Sequence, residues 1–136
     1  MADSSSSSAS AVKDHPEARE LFNTATKKMN QKFPPWGVES RFEEAAELFS
    51  RAGNLFKANR QPLEAEKSYV IAAECLLRIK QTHEAASNYV SAANAIRKTD
   101  ASRAAGHLRT SVQYLISGGN FAMAAKNLQD AGDMYE

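Results

Sequence analysis

The sequence predicts an all-α fold, an α-solenoid of about six helices arranged as antiparallel hairpins, and three observations lead to that prediction. The first is an internal repeat from Phe42 onward, in which similar segments begin 20, 20, 19 and 20 residues apart. These segments start at Ala45, Ala65, Ala85, Ala104 and Ala124. The second is that apolar residues recur within each segment at i, i+4, i+7 and i+11, a spacing that keeps them on one helical face.

The third observation is that aligned positions keep their residue type from one segment to the next. A column of large residues reads Phe49, Tyr69, Tyr89, Leu108 and Leu128. A column of small residues reads Ala52, Ala72, Ala92, Ser111 and Ala131, and a third, apolar column reads Phe56, Leu76, Ile96, Leu115 and Tyr135. Small residues let neighbouring helix backbones approach closely, and the large residues then fill the space between layers. Two helices per unit give about 40 residues, longer than the roughly 34 of a tetratricopeptide repeat, so we expect a tetratricopeptide-like solenoid.

The first helix is predicted in the segment that precedes the repeats. Pro16 stands near its start, where a missing N–H costs nothing. Leu21, Phe22, Ala25 and Met29 line one face of it.

Capping chemistry marks the starts of the second, third and fourth helices. Ser40 and Glu43 have the spacing of a capping box, which predicts that the second helix begins near Arg41. Pro62 suits the first turn of the third helix, and Thr82 is predicted to cap the fourth.

Polar residues and glycines mark the boundaries of the last two helices. Asp100 or Ser102 is predicted to cap the fifth helix. Gly118 and Gly119 are expected to end it, and Asn120 to cap the sixth.

Composition divides the chain into a disordered tail and one helical domain. The serine-rich residues 1–13 cannot bury enough apolar surface to order themselves, so the helical repeat domain is expected to cover 14–136. The near balance of 17 basic and 16 acidic residues argues against nucleic acid, and the single cysteine, Cys75, is expected in the core. No apolar run is long enough to span a bilayer. The last repeat is followed by no polar capping element, which predicts the front part of a longer array.

The sequence carries no constellation of catalytic residues. His15, His83 and His107 lie far apart and at no metal-ligand spacing, so we predict no metal site, no cofactor and no enzymatic activity.

Basic residues are concentrated in the second half of the chain. From Arg78 to Lys126 there are seven basic residues against two acidic ones. Most of them stand at predicted helix C-termini, where a cation stabilises the helix dipole by about 0.3–1 kcal/mol. Stacked helices would turn these recurrent basic ends into a ridge along one edge, suited to an acidic partner. Lys126 stands nearer a helix start, where the dipole does not explain it.

The segment "KFPPWGVES", residues 32–40, raises a separate question, because it places Phe33 and the chain's one tryptophan, Trp36, in a loop. The residues leave two alternatives open. The two rings either fold back onto the first hairpin, or they protrude and enter an apolar environment such as the bilayer interface.

Several stretches resemble the N-terminal part of the soluble NSF attachment proteins, of the alpha type. They are "FEEAAELFSRAGNLFKA", "EAEKSYVIAAECLL", "HEAASNYVSAANAIRKTD" and "GNFAMAAKNLQDAGDMYE". The resemblance covers residues 17–136 and implies a chain that stops before the family's C-terminal helical bundle. It implies a cytoplasmic adaptor, peripheral on membranes, that binds the SNARE complex and recruits the ATPase NSF for SNARE disassembly.

The resemblance also implies roles for particular residues. Lys126, Arg97 and Lys98 match basic positions that contact SNAREs of the syntaxin type and others. Phe33 and Trp36 stand where the family has its membrane-contacting apolar loop. The family's NSF-activating part lies beyond this chain. The alternative is a generic tetratricopeptide-like interaction scaffold or co-chaperone, whose groove would hold a peptide carboxylate.

Overall fold

The structure is a computed structural model that describes residues 15–134. Six α-helices follow one another, and no strand occurs in this range. They are α1 (Pro16–Asn30), α2 (Val38–Ala58), α3 (Pro62–Arg78), α4 (Thr82–Ile96), α5 (Ala101–Ser117) and α6 (Phe121–Met134). The predicted tail at residues 1–13 and the column residue Tyr135 lie outside the described range.

The helices form a succession of antiparallel neighbours, which is the predicted solenoid. Extensive helix–helix packing joins only consecutive helices within the described residues, from α1 against α2 to α5 against α6. Each unit therefore rests on its neighbours along the chain, as repeat proteins do. Helices α1, α3 and α5 form one layer, where Arg19 of α1 pairs with Glu64 of α3. Helices α2, α4 and α6 form the other, where Ser50 of α2 donates a hydrogen bond to Asn88 of α4.

Alternating helix directions give the solenoid two edges that bear different connections. We call "loop edge" the one formed by the α1–α2 loop (31–37), the α3–α4 turn (79–81) and the α5–α6 turn (118–120). The opposite "turn edge" is formed by the turns 59–61 and 97–100. His15, at the start of α1, donates its N–H to the side chain of Gln61 at 3.0 Å, which places the beginning of the domain on the turn edge.

The repeat columns form the core, as the sequence predicts, with one exception. The small column is buried along its whole length, and Phe49, Tyr69, Tyr89 and Leu108 of the large column are buried too. Leu128 is 54% exposed, so the prediction that it is an interior counterpart of the other four is wrong. Phe49 packs against Phe22 of α1, and Tyr69 donates a hydrogen bond to Asn54 of α2. Tyr89 stacks against His107 of α5, whereas no helix follows α6 among the described residues.

Helix starts agree with the capping predictions at three positions and differ at two. Pro62 is the first residue of α3, Asp100 caps α5 by accepting a bond from the Arg103 N–H (3.0 Å), and Asn120 caps α6. The predicted capping box at Ser40 is wrong, because α2 begins at Val38 behind a left-handed Gly37. Thr82 is the first residue of α4, and not its cap, which is Gln81.

Three helices end with the same left-handed turn. The residues in this conformation are Arg60 after α2, Lys80 after α3 and Gly119 after α5, with φ values of 63°, 62° and 85°. In each turn the next N–H reaches back to a helix carbonyl, as when Gln81 donates to Leu76 at 2.9 Å. These bonds satisfy helix-end carbonyls that would otherwise lack a partner.

Candidate partner-binding surfaces

The aromatic loop protrudes from the loop edge. Phe33 is 75% exposed and Trp36 is 74% exposed, so the alternative in which the rings fold back onto the first hairpin is wrong. Exposing two large rings forfeits about 1.5–3 kcal/mol of burial free energy for each. A loop that keeps both rings in water is therefore built for something other than the stability of the isolated domain.

Side-chain hydrogen bonds hold the backbone of the loop, while the rings of Phe33 and Trp36 are exposed. One guanidinium nitrogen of Arg41, in the first turn of α2, donates to the carbonyls of Pro34 (2.8 Å) and Trp36 (3.1 Å). Gln31 donates its side-chain amide to the Phe33 carbonyl at 2.7 Å. Gly37 completes the turn at φ 81°, a conformation that glycine adopts without steric cost. The rings are thus presented from a fixed backbone.

The second surface is a groove on the layer of α2, α4 and α6. It has a volume of about 220 Å³ and lies between α4 and α6, above α5. Leu108, Ser111 and Leu115 of α5 form its floor. Arg97, at the end of α4, and Lys126, on α6, both line it. Two of the three predicted SNARE-contacting cations, far apart in sequence, therefore meet in one concavity. Lys98 is exposed in the adjoining α4–α5 turn and is not part of the groove lining.

The cations of this groove form no ion pair with another residue that the structure describes. Within residues 15–134, no salt bridge involves Arg97, Lys98 or Lys126. Asp130 is the one acidic side chain among the described residues that line the groove. Exposed, unpaired cations beside an apolar floor are suited to a partner that combines acidic and apolar side chains.

The predicted single ridge of basic helix ends does not form. Arg78 and Lys80 end α3 and lie on the loop edge, where the Arg78 guanidinium sits 5.1 Å from the centre of the Phe42 ring. Arg97 and Lys98 follow α4 and lie on the turn edge. The ridge prediction ignored that successive helices run in opposite directions, which sends their C-termini alternately to the two edges.

Sequence reasoning missed a buried charge cluster that joins α3 to α5. Glu66, 8% exposed, accepts bonds from Arg103 and from His107, the latter at 2.7 Å. Burial alone would raise the pKa of Glu66, but the bonds from Arg103 and His107 hold it below its usual range. The ring of His107 also stacks against Tyr89 at 6.2 Å. The available signal was an acidic residue within the apolar face of α3.

The chain matches one family model over nearly all of its described residues. That family is described as "Soluble NSF attachment protein, SNAP", and the match covers residues 16–136. The stretch includes both surfaces described above.

Individual relatives agree with the family match. The chain is 33% identical to the human alpha-soluble NSF attachment protein over 101 residues. These residues are 74% of this chain and 34% of the human protein. It is 31% identical over 111 residues to the alpha-soluble NSF attachment protein of Vitis vinifera, covering 81% and 38% of the two chains. It is 34% identical over 104 residues to a probable vesicular-fusion protein sec17 homolog of Schizosaccharomyces pombe, covering 76% and 36%. The matches span about a third of the length of these relatives.

Proposed function

The chain belongs to the soluble NSF attachment protein family, and from that membership we propose that it acts as a SNARE-binding, membrane-contacting adaptor in vesicle fusion. In this role it is a cytoplasmic protein, peripheral on membranes, and not an enzyme. The partners are the assembled SNARE complex and the lipid surface. Recruitment of NSF for SNARE disassembly belongs to the same proposed role.

One observation carries the SNARE-binding part of the proposal. Arg97 and Lys126 come from different helices, meet in one groove and lack internal salt-bridge partners within the described residues. Leaving these two cations unpaired costs the fold little, since exposed ion pairs contribute only about 0–1 kcal/mol. Cations kept unpaired beside a concave apolar floor are therefore suited to acidic side chains of another molecule.

The test is capture of assembled SNARE complex by the Arg97→Glu/Lys126→Glu double variant. Each reversal removes an exposed attraction of about 0.5 kcal/mol and adds a repulsion of similar size. The double variant should therefore weaken binding by about 2 kcal/mol, which is roughly 30-fold in Kd at low ionic strength. Lys98→Glu alone should have a smaller effect, because Lys98 does not line the groove.

The matched control is the Lys27→Glu/Arg60→Glu double variant, which makes the same charge change elsewhere. Lys27 lies on α1 in the other layer, and Arg60 lies in the α2–α3 turn. Equal loss of capture in both double variants would show a general charge effect and contradict the groove assignment. Capture of isolated peptides ending in a free carboxylate, with no preference for assembled SNAREs, would favour the co-chaperone alternative.

The membrane-contacting part depends on Phe33 and Trp36. The variant Phe33→Ser/Trp36→Ser should lower liposome flotation about tenfold or more without loss of helicity, because neither ring belongs to the core. Leu63→Ser is the control, since Leu63 is an exposed apolar residue too, at 54%, but lies at the start of α3 on the turn edge. Unchanged flotation of the double variant would refute this contact. No helix within residues 15–134 is long and apolar enough to span a bilayer.

A further inference from the structure

The exposed apolar side chains of this domain are concentrated on the loop edge. Eight large apolar residues are exposed within the described range, and five of them belong to this edge. They are Phe33, Trp36 and Val38 in and after the α1–α2 loop, and Ile116 and Phe121 on either side of the α5–α6 turn. Ile116 and Phe121 therefore form a second apolar point, which the α3–α4 turn separates from the aromatic loop along this edge.

The second point protrudes from a turn whose backbone is already hydrogen-bonded. Phe121 is 65% exposed and begins α6, directly after the glycine turn. Gly119 donates its N–H to the Ile116 carbonyl at 3.0 Å, and Asn120 donates to the Leu115 carbonyl at 2.8 Å. A turn with such internal bonds can enter the poorly hydrated bilayer interface at lower cost than one that relies on water.

A basic turn lies between the two apolar points. The α3–α4 turn is connected to the first loop through Arg78, which packs on Phe42 and shares a recess with Val38 and Glu39. It is next to the second point, because Gly118 lies beside the side chain of Thr82 at the start of α4. Lys80 is exposed at its tip.

The charges near this turn favour its binding to an anionic surface. Lys80 and Arg78 face one acidic neighbour in the recess they share, Glu39. Lys32 adds a further exposed cation in the aromatic loop. Apolar and aromatic tips with intervening cations are the pattern of residues that sit at the headgroup level of a membrane containing anionic lipid.

We propose that the whole loop edge, and not only the α1–α2 loop, is a membrane-contacting surface for anionic bilayers. Phe33 with Trp36 makes one contact, Ile116 with Phe121 makes the other, and Lys80 binds anionic headgroups between them. The inference rests on the proposed function, because the first contact is part of it. Two separated contacts would fix how the solenoid is rotated on the bilayer, and so the direction in which the α4–α6 groove faces.

A bilayer fits this edge better than a protein partner does. The residues protrude from the three neighbouring connections of the loop edge. The side chains at the centre of the two apolar points line none of the described grooves, and these are Phe33, Trp36, Ile116 and Phe121. A flat, deformable surface can meet separate protrusions at the same time, whereas a protein would need a matching set of separate pockets.

The test uses tryptophan fluorescence, since Trp36 is the chain's one tryptophan. Vesicles are made of phosphatidylcholine with and without phosphatidylserine, and of lipids brominated on the acyl chain as quenchers. In a Trp36→Phe background, Phe121→Trp should show a blue shift and quenching on vesicles. Leu63→Trp in the same background reports on the turn edge and should show neither. A Phe121→Trp signal equal to that of Leu63→Trp would overturn the proposal.

The cationic part has its own matched pair. Lys80→Glu and Arg60→Glu change exposed residues of the same charge in the same left-handed conformation, one on each edge. Lys80→Glu should weaken partition into phosphatidylserine vesicles about fivefold or more and leave phosphatidylcholine binding unchanged, whereas Arg60→Glu should leave both unchanged. Equal effects of the two variants would refute a specific headgroup contact at Lys80.

The unmodified protein separates failure of this inference from failure of the proposed function. If Trp36 shifts on vesicles while Phe121→Trp does not, the α1–α2 loop contacts the membrane alone and the extended surface is wrong. If Trp36 itself gives no shift, the proposed loop contact fails and the inference fails with it.

Discussion

Replacing Glu66 by glutamine removes the charge at the centre of the α3–α5 contact and nearly keeps its shape. The carboxylate is largely buried and accepts bonds from two nitrogens of Arg103 and from His107. Arg103 is about half exposed, at 48% of its side chain. Glutamine retains one acceptor oxygen and replaces the other with an NH₂ group, a donor, which then faces the N–H donors of Arg103 and His107.

The expected loss of stability is about 1–2 kcal/mol. Hydrogen bonds between charged groups contribute about 1.5–3 kcal/mol each, and removing one partner of a buried pair costs about 3–5 kcal/mol. Solvent around Arg103 screens the interaction, and the remaining amide oxygen keeps part of the bonding, so the value falls below those figures. For a domain of this size, that loss lowers Tm by about 5 °C.

Urea denaturation followed by circular dichroism measures this loss, and its pH dependence checks the cause. The folded pKa of Glu66 lies below the unfolded one, although burial opposes this, because Arg103 and His107 donate to the carboxylate. The stabilisation is therefore complete above the unfolded pKa and is lost as pH falls through the folded pKa. The difference in stability between the natural chain and Glu66→Gln should shrink over that acidic range.

Glu74→Gln is the control, because Glu74 is on the same helix, is exposed and forms no salt bridge with a described residue. It should change stability by less than about 0.5 kcal/mol. Equal effects of the two variants would show that the cluster contributes nothing specific. A difference that persisted unchanged into acid would show that the carboxylate charge is not the cause.

Three further predictions concern packing, capping and thiol chemistry. Gly53→Ala should destabilise the domain by about 1–3 kcal/mol in urea denaturation, because the new Cβ would lie 2.8 Å from the Tyr69 ring. Gly106→Ala is the control, because its Cβ would enter open space, and it should stabilise the domain by up to about 1 kcal/mol. Asp100→Ala should cost about 1 kcal/mol in the same assay, and no loss would contradict its capping role. The Cys75 thiol, whose pKa burial raises to about 11, should resist alkylation at neutral pH until the chain unfolds, and rapid labelling of the folded chain would contradict its burial.

The helices and the core columns were predictable because their signals are local. Phe49, Tyr69 and Tyr89 recur on the same helical face, and any stack of these helices buries that face. Pro62 and Asp100 mark helix starts through constraints that act within one turn. The start of α2 was missed because the left-handed Gly37 and the bonds from Arg41 to the loop carbonyls compete with the capping box at Ser40.

The two candidate partner-binding surfaces were predictable only in part. The resemblance identified Arg97, Lys126 and the two rings as residues of interest, but it gave no contacts among them. Sequence spacing could not show that Arg97 and Lys126 share a groove while Lys98 lies outside its lining. It also gave no way to see that Arg103 is paired with Glu66 whereas Lys126 forms no salt bridge within residues 15–134, since both are ordinary helical cations in the sequence.

The amino-acid order alone therefore determined which residues form helices and which face of each helix turns inward, since helical periodicity depends on neighbours within a few turns. The tertiary structure decided the rest: which edge each connection joins, which cations meet carboxylates, and why Leu128 stays exposed while its counterparts are covered. These outcomes depend on the direction and packing of helices distant in sequence. A charge or an apolar side chain has the same identity whether a neighbouring helix covers it or leaves it to a partner.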